Sequence, residues 1–224
     1  MRLPEILARS SAPRELEAEP VVRRRRVVVI ATIALGAGLL GGTLAAPVGS
    51  RLFYGFGVLV AATWLIGGRL SGPLHLGRSG GMVGGGRAVV APFLLGVGLF
   101  AAFFAASLVA RRLPFLDGAL ESVLARADSG PRALVLALAL VNGVAEEVFF
   151  RGALHSAFGR HHPVVWGTAL YALVTVATLN LALVVAAVIM GVAFSAEREA
   201  TRGVLAPIIT HLTWSTLVLF LLPR

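Results

Sequence analysis

The sequence NGVAEEVFFRG, residues 142–152, lies inside a long apolar segment of the chain. Carboxylates are disfavoured in a segment that crosses a bilayer, by roughly 2.5–3.5 kcal/mol each on insertion scales. Glu147 and Arg151 are four residues apart, so they share a helix face and are predicted to form an ion pair. Glu146 is rotated by about 100° from Glu147, and its neighbour one turn earlier is the hydrogen-bonding residue Asn142. The stretch therefore predicts one neutralised carboxylate and one that is available for chemistry.

The composition of the whole chain indicates an integral membrane protein, with the lipid bilayer as its first partner. Of its 224 residues, 57% are hydrophobic and 14% are charged, and the mean hydropathy is +0.86. A soluble domain has about one-quarter charged residues. The absence of cysteine excludes disulfides, thiolate metal sites and a cysteine nucleophile. The net charge of +9 comes from arginines that lie mostly between apolar runs, and the positive-inside rule explains it without nucleic acid.

Several apolar runs approach the ~20 residues that a membrane-spanning helix needs. They predict an all-α, polytopic transmembrane helix bundle of about seven spans. We expect the spans at residues 27–47, 52–67, 88–110, 133–158, 164–178, 181–196 and 204–222. Residues 116–126 predict a short amphipathic helix at the membrane interface, and residues 197–203 predict a loop. The chain thus divides into a cytoplasmic tail (1–26), N-terminal transmembrane helices with their connectors (27–131) and a C-terminal core (132–222).

The distribution of arginine predicts how the bundle is oriented. Arg23–Arg26 precede the first span, and the glycine-rich connector at residues 68–87 and two later loops carry further arginines. With seven spans these segments fall on one side of the membrane, which the positive-inside rule places in the cytoplasm. We therefore predict a cytoplasmic N-terminus and a C-terminus on the opposite side. His155, His161 and His162 fall at the cytoplasmic side and are predicted to be loop residues.

Few polar side chains remain inside the predicted spans: Asn142, Glu146, Glu147, Thr175, Thr178, His211, Thr213 and Ser215. At ~1.5 Å per residue, Glu146, Thr175 and His211 lie about 12–21 Å from the cytoplasmic ends of their helices. His211 and Ser215 are one turn apart and share a face. We expect four side chains to converge on one polar, water-accessible cavity in the cytoplasmic half of the bundle: Glu146, Thr175, His211 and Ser215. A glutamate beside a histidine at such depth is a standard general-base pairing.

Most of these residues also have a purely structural interpretation. The pair of Glu147 and Arg151 can serve helix packing alone, because neutralising each other makes both charges tolerable inside the bundle. A histidine in a span can act as an interhelical hydrogen-bonding group, and buried hydroxyl groups commonly bond to the backbone. Glu146 differs, because the sequence places no cation one turn away from it. It is therefore the strongest candidate for a functional residue.

The stretch from Glu146 to Arg151, followed by Gly152, resembles the first motif, Glu-Glu-x-x-x-Arg, of the CPBP intramembrane proteases. This family includes the type II CAAX prenyl endopeptidases and bacterial abortive-infection relatives. The resemblance covers roughly residues 132–222. It implies a CPBP-like core in the C-terminal half of the chain and a location in a bacterial plasma membrane.

The other two motifs of the family are matched with departures. His211, four residues before Ser215, resembles the third motif, normally His-x-x-x-Asn. The best match to the second motif, Phe-x-x-x-His, begins at Tyr171 and ends at Thr175. Thr175 thus stands where the family has a histidine, and Ser215 stands where it has an asparagine.

The resemblance implies catalytic roles for Glu146, Glu147 and His211, with support from Arg151, Asn142, Thr175 and Ser215. Members of the family use the first glutamate and the second-motif histidine to activate water, and are described both as metal-dependent and as glutamate-type. A catalytic zinc ion takes three protein ligands and a water molecule. Glu146 and His211 would supply two, and neutral hydroxyl groups are poor substitutes. The alternative is a metal-free route in which Glu146 is the base, while His211 and Ser215 support the oxyanion.

The function predicted from these observations is that of an intramembrane endopeptidase, or of a degenerate descendant with low or altered activity. Its substrates would be membrane-associated proteins or peptides, cleaved by a glutamate-activated water. A second interpretation is a catalytically degenerate membrane scaffold or chaperone that binds a membrane partner. A proton-coupled transporter is a weaker alternative, because the sequence contains no inverted repeat.

Overall fold

The computed structural model describes residues 19–76, 87–159 and 161–222. Every regular element in these ranges is a helix, which confirms the all-α prediction. The elements are α1 (Glu19–Ala45), α2 (Arg51–Ser71), α3 (Arg87–Ala110), α4 (Pro114–Ala127), α5 (Arg132–Glu146), a π-helix (Glu147–Leu154), α6 (His155–Phe158), α7 (Pro163–Val176), α8 (Leu181–Thr201) and α9 (Leu205–Leu221). Most of the predicted tail, the middle of the glycine-rich connector, Arg160 and the last two residues lie outside the described ranges.

The described helices form a membrane-type bundle. Five segments are long and apolar enough to cross a bilayer: α1, α2, α3, α8 and the continuous segment of α5, the π-helix and α6. The apolar helices α7 and α9 are shorter. Each of these segments coincides with one of the predicted spans. The chain is therefore an integral membrane protein, and its exposed large apolar side chains belong on the lipid-facing surface.

Local sequence signals set several helix ends. Ser50 precedes α2 and accepts a hydrogen bond from the backbone N–H of Phe53 at 3.1 Å. Asn180 precedes α8 and accepts one from the backbone N–H of Leu183 at 3.0 Å. Both residue types are preferred N-caps because they satisfy a donor that the first turn leaves without a partner. Pro163 opens α7, where its missing N–H is not needed.

Helix α1 begins inside the predicted tail, so the arginine run lies in its first turns. Arg24 donates to the backbone oxygen of Leu70 at 2.7 Å. Arg25 is fully buried and donates to Ser71 Oγ and to the Pro73 backbone oxygen, both at 3.2 Å. The C-terminal carbonyls of a helix carry a partial negative charge, which cations stabilise. The arginine run therefore caps the end of α2 and holds it beside the start of α1.

The loop prediction for residues 197–203 is wrong over most of its length. Helix α8 continues to Thr201, because its last turns carry no residue that stops a helix before Gly203. The loop prediction for His155 is also wrong. This side chain is buried, and its Nε2 lies 2.7 Å from Glu199 Oε1. His161 and His162 do lie between α6 and α7, as predicted.

The segment that carries the two glutamates runs through the middle of the bundle. Helix α5 packs against α2 and α9, and the π-helix contacts α2, α7, α8 and α9. The core around this segment is aromatic. The ring of Trp64 from α2 stacks on Phe149 at a centroid distance of 4.8 Å, and Phe150 contacts Tyr171 of α7 at 4.7 Å. Buried aromatic contacts of this kind fix the rotation of the segment relative to its neighbours.

Helix α4 is the predicted amphipathic helix, and it lies across the end of the bundle far from the arginine run. Asn180, in the turn between α7 and α8, donates to the Ala119 backbone oxygen and to Ser122 Oγ, both at 2.8 Å. Arg126 donates to the backbone oxygen of Leu44 near the end of α1. These hydrogen bonds tie α4 to the end of α1 and to the turn between α7 and α8.

Candidate functional site

The glutamate segment changes its helical geometry at the site. The sequence predicts one continuous α-helix through both glutamates, whereas the structure has an α-helix that ends at Glu146 and a π-helix that begins at Glu147. A π-helix has one more residue in each hydrogen-bonded turn and often occurs at functional sites. Phe149 and Phe150, which are both buried, lie in this π-helix.

The predicted ion pair between Glu147 and Arg151 is present. Arg151 Nη1 lies 3.2 Å from Glu147 Oε1, and the two side chains are 1% and 0% exposed. Arg151 Nη2 also donates to the backbone oxygen of Met190 at 3.3 Å. The guanidinium lies over the rings of Tyr171 and Phe194, at 4.7 and 5.1 Å from their centroids. Four neighbouring residues therefore hold the guanidinium of Arg151 in place.

His211 of α9 contacts the second glutamate of the pair. Its Nδ1 lies 2.8 Å from Glu147 Oε1, whereas the sequence suggested Glu146 as its partner. Since a carboxylate only accepts, the proton is assigned to Nδ1, and Nε2 is left as the reactive nitrogen of the imidazole. The ring also packs against Phe194 and Trp214, at centroid distances of 5.0 and 6.1 Å. Glu147 thus orients His211, as a carboxylate orients the imidazole in hydrolase triads.

Glu146 receives a hydrogen bond that the sequence reasoning missed. Tyr171 donates its hydroxyl to Glu146 Oε2 at 2.7 Å. The sequence identified Tyr171 only as the first position of a degenerate motif, and its hydroxyl is the signal that would have revealed it. Asn142 does not reach Glu146, because its amide donates to the backbone oxygens of Gly57 and Leu138 at 3.1 and 2.9 Å. The predicted support from Asn142 is therefore a contact between helices α5 and α2.

A cavity of about 180 Å³ brings Glu146, Tyr171, Thr175 and His211 together. We call it the site cavity. The convergence of helices α5, α7 and α9 on one space agrees with the depths calculated from the sequence, but most of the lining is apolar. The residues that line the cavity include Trp214 and not Ser215, so the fourth expected member is absent. Thr175 donates its hydroxyl to the Tyr171 backbone oxygen at 2.8 Å and is occupied within its own helix.

A second group of buried polar side chains lies next to the site, on residues that the sequence placed in a loop. Glu197 of α8 accepts a hydrogen bond at Oε1 from the hydroxyl of Thr210, at 2.8 Å. The same hydroxyl lies 3.0 Å from the backbone oxygen of Pro92 in α3. Arg198 donates from Nε to the backbone oxygen of Arg151 at 2.9 Å. These contacts join α3, α8, α9 and the π-helix behind the ion pair.

The residues at the site do not fit a catalytic zinc ion. Such an ion takes three protein ligands and keeps a fourth position for water. Glu146 and His211 line the cavity, but the described part of the chain holds no group of three histidine, aspartate, glutamate or cysteine side chains that could bind a metal ion. The hydroxyl proton of Thr175 is already donated to the backbone.

The C-terminal part of the chain is similar to a known protease family. Residues 128–217 match the family model described as type II CAAX prenyl endopeptidase Rce1-like. This range contains Glu146, Tyr171, Thr175 and His211, and the match confirms the resemblance to CPBP proteases that the first motif indicated. The match covers less than half of the chain. No curated protein and no solved structure matches the chain.

Proposed function

We propose, from the Rce1-like match of residues 128–217, that the protein is an intramembrane endopeptidase that cleaves membrane-associated peptides with a glutamate-activated water. The observation that carries the proposal is the meeting of Glu146, Tyr171 and His211 at one cavity inside the bundle. A base, a hydroxyl donor and an oriented imidazole are the groups that peptide hydrolysis needs. The glutamate-type mechanism is part of the proposal.

Glu146 is the proposed general base. No other described side chain forms an ion pair with it, and its one described side-chain hydrogen bond comes from a neutral hydroxyl group. Its carboxylate can therefore accept a proton from a water molecule as that water attacks the scissile carbonyl carbon. A positioned general base typically increases the rate of a reaction by about 10²–10⁴-fold. The protonated Glu146 then returns the proton to the departing amine nitrogen, which completes hydrolysis.

Tyr171 is the proposed stabiliser of the tetrahedral intermediate, and His211 is proposed to position the attacking water. Tyr171 donates to Glu146 at 2.7 Å before reaction. When Glu146 takes up a proton it becomes a weaker acceptor, so the hydroxyl is free to donate to the new oxyanion. His211 keeps its Nδ1 proton on Glu147 at 2.8 Å, so its Nε2 is free to accept a hydrogen bond from the attacking water. A hydroxyl donor that lies beside the developing negative charge lowers the barrier by stabilising that charge.

The experiment compares purified full-length protein with the variants Glu146→Gln and Tyr171→Phe. Substrates are a fluorogenic prenylated CAAX peptide and a mixture of single-span membrane peptides, with cleavage products identified by mass spectrometry. We expect Glu146→Gln to abolish cleavage and Tyr171→Phe to lower turnover, while both variants elute from gel filtration like wild type. Thr63→Val, outside the site cavity, is the matched control. Equal cleavage by wild type and Glu146→Gln would refute the proposed base.

The second candidate function is a membrane scaffold or chaperone without catalytic activity. This function is favoured by the two residues that depart from the family motifs. Neither of them is placed where it could replace the side chain that the family normally has. Thr175 bonds to its own helix, and Ser215 does not line the site cavity. A scaffold would show no cleavage with any substrate and would bind its membrane partner equally well after Glu146→Gln.

The orientation in the membrane is also a proposal: a cytoplasmic N-terminus in a bacterial plasma membrane. It is supported by the arginines at the start of α1, which stabilise the end of α2 from the same side and satisfy the positive-inside rule there. A reporter active only outside the cytoplasm, fused to the C-terminus, should be active. A C-terminal fusion that is active only in the cytoplasm would contradict this orientation.

A further inference from the structure

We propose that a groove between α1 and the region around the α6–α7 turn binds one anionic phospholipid, with an acyl chain in the groove and the phosphate at its polar end. The groove has a volume of about 680 Å³. Its walls are formed mainly by apolar side chains, including Ile30, Ile33, Phe158, Trp166 and Leu170. It shares no lining residue with the site cavity. The inference is thus independent of the proposed endopeptidase activity.

Two polar side chains line the groove at one end. They are Arg26, near the start of α1, and His161, just before α7, and both are exposed. Arg26 uses its Nε to donate to the backbone oxygen of Ala157 at 3.5 Å. No residue in the described ranges accepts from the two terminal nitrogens of its guanidinium, and these nitrogens can serve as donors for a ligand. A planar guanidinium binds phosphate oxygens through two parallel hydrogen bonds, so this end suits a phosphodiester group.

The rest of the groove has the dimensions of a hydrocarbon chain site. From Arg26 to Ala34, the lining residue furthest along α1, the helix rises ~12 Å at 1.5 Å per residue. The floor is formed by well-buried side chains, Leu154 at 1% and Ala157 at 7% exposure, whereas Ile30 at the rim is 68% exposed. A chain in the groove would cover apolar surface on both walls while remaining continuous with the surrounding lipid.

Charge complementarity selects the occupant. A groove with apolar walls and one cationic end matches a ligand with an apolar chain and an anionic head. A zwitterionic phospholipid carries the same phosphodiester, but its ammonium group brings a positive charge near Arg26 and offsets part of the attraction. Trp166 lines the groove in the first turn of α7, close in the chain to His161 at the polar end, and tryptophan is enriched at the level of lipid headgroups. Basic side chains at that level attract anionic lipids, so the position and the charge indicate the same ligand.

The first test measures lipid binding to the full chain by native mass spectrometry. The probes are phosphatidylglycerol and phosphatidylcholine with identical acyl chains. We expect wild type to retain phosphatidylglycerol preferentially. Arg26→Gln should weaken that lipid about fivefold, the equivalent of ~1 kcal/mol for one arginine near a membrane surface, and weaken phosphatidylcholine by less. The matched control is Arg51→Gln, an exposed arginine at the opposite end of the α1–α2 hairpin, which should not change either affinity.

The second test fills the groove without changing its charge. Ala34 lines the groove and is exposed, so Ala34→Trp should fold and should displace the bound lipid. Ala31→Trp, at an exposed position of the same helix that does not line the groove, is its control and should bind like wild type. This pair decides the question even when Arg26→Gln is recovered in low yield.

Several results would overturn the proposal. Equal retention of the two lipids by wild type would remove the anionic preference. An equal loss in Arg51→Gln would show that general surface charge, and not the groove, attracts the lipid. Unchanged binding in Ala34→Trp would place the lipid elsewhere. Competition by free glycerol phosphate at the same concentration would show a phosphate site that does not use the acyl chain. Binding of a second copy of the protein in place of lipid would identify a protein interface.

Discussion

Replacing Arg151 with methionine tests whether the buried ion pair stabilises the bundle. The change keeps an unbranched side chain of similar length and removes the charge. Glu147 and Arg151 are 0% and 1% exposed, so water does not screen the carboxylate that remains. Stranding one member of a buried pair costs about 3–5 kcal/mol. His211 still contacts that carboxylate at 2.8 Å, which favours the lower end of this range.

Other contacts of the Arg151 guanidinium raise the expected loss of folding stability. The contacts with the rings of Tyr171 and Phe194 are each worth on the order of 0.5–2 kcal/mol, and the Met190 carbonyl loses a donor at 3.3 Å. We therefore expect a total of about 3–5 kcal/mol. For a protein of this size that corresponds to a fall of roughly 6–20 °C in unfolding temperature, at about 2–4 °C per kcal/mol.

The assay is thermal unfolding of the purified full chain in detergent, followed by tryptophan fluorescence. The control is Arg132→Met, the same substitution at an exposed arginine in α5. The double variant Glu147→Gln with Arg151→Met should recover part of the loss. It strands no charge, and the amide oxygen at position 147 can still accept from His211. The reasoning is refuted when Arg151→Met and Arg132→Met unfold at the same temperature, or when the double variant is no more stable than Arg151→Met.

Three further predictions address neighbouring groups. Tyr171→Phe should lower peptidase turnover about 10²–10³-fold, as loss of an oxyanion donor does, with little change in unfolding temperature measured on the same sample. Glu197→Gln should unfold near the wild-type temperature, because an amide can still hydrogen-bond with Thr210, whereas Glu197→Leu should unfold several degrees lower, and equal values would contradict the role of that contact. Thr175→His adds a third donor to the site cavity, so zinc content by elemental analysis should rise and should fall again when Glu146→Gln is added. An unchanged zinc content would show that position 175 does not face Glu146.

The sequence by itself determined those features that depend on local chemistry. Apolar runs of nearly membrane-spanning length predict the helix bundle, because a chain segment that crosses a bilayer has few alternatives to a helix. The pair of Glu147 and Arg151 could be predicted because both partners lie on one helical segment, four residues apart. The predicted span at residues 181–196 begins where α8 begins, because the N-cap residue Asn180 acts within the first turn of that helix. In each case the interacting groups are close in the chain, so no knowledge of helix packing is needed.

Only the tertiary structure decided which of the two glutamates meets which partner. Glu146 and Glu147 differ by about 100° of rotation in an α-helix, and the sequence does not fix how that helix is turned towards α7 and α9. The aromatic core and the π-helix set this rotation. They bring His211 to Glu147 at 2.8 Å and Tyr171 to Glu146 at 2.7 Å, and they leave Ser215 outside the cavity lining. Partners so far apart in the chain meet only through packing, which is a property of the whole bundle.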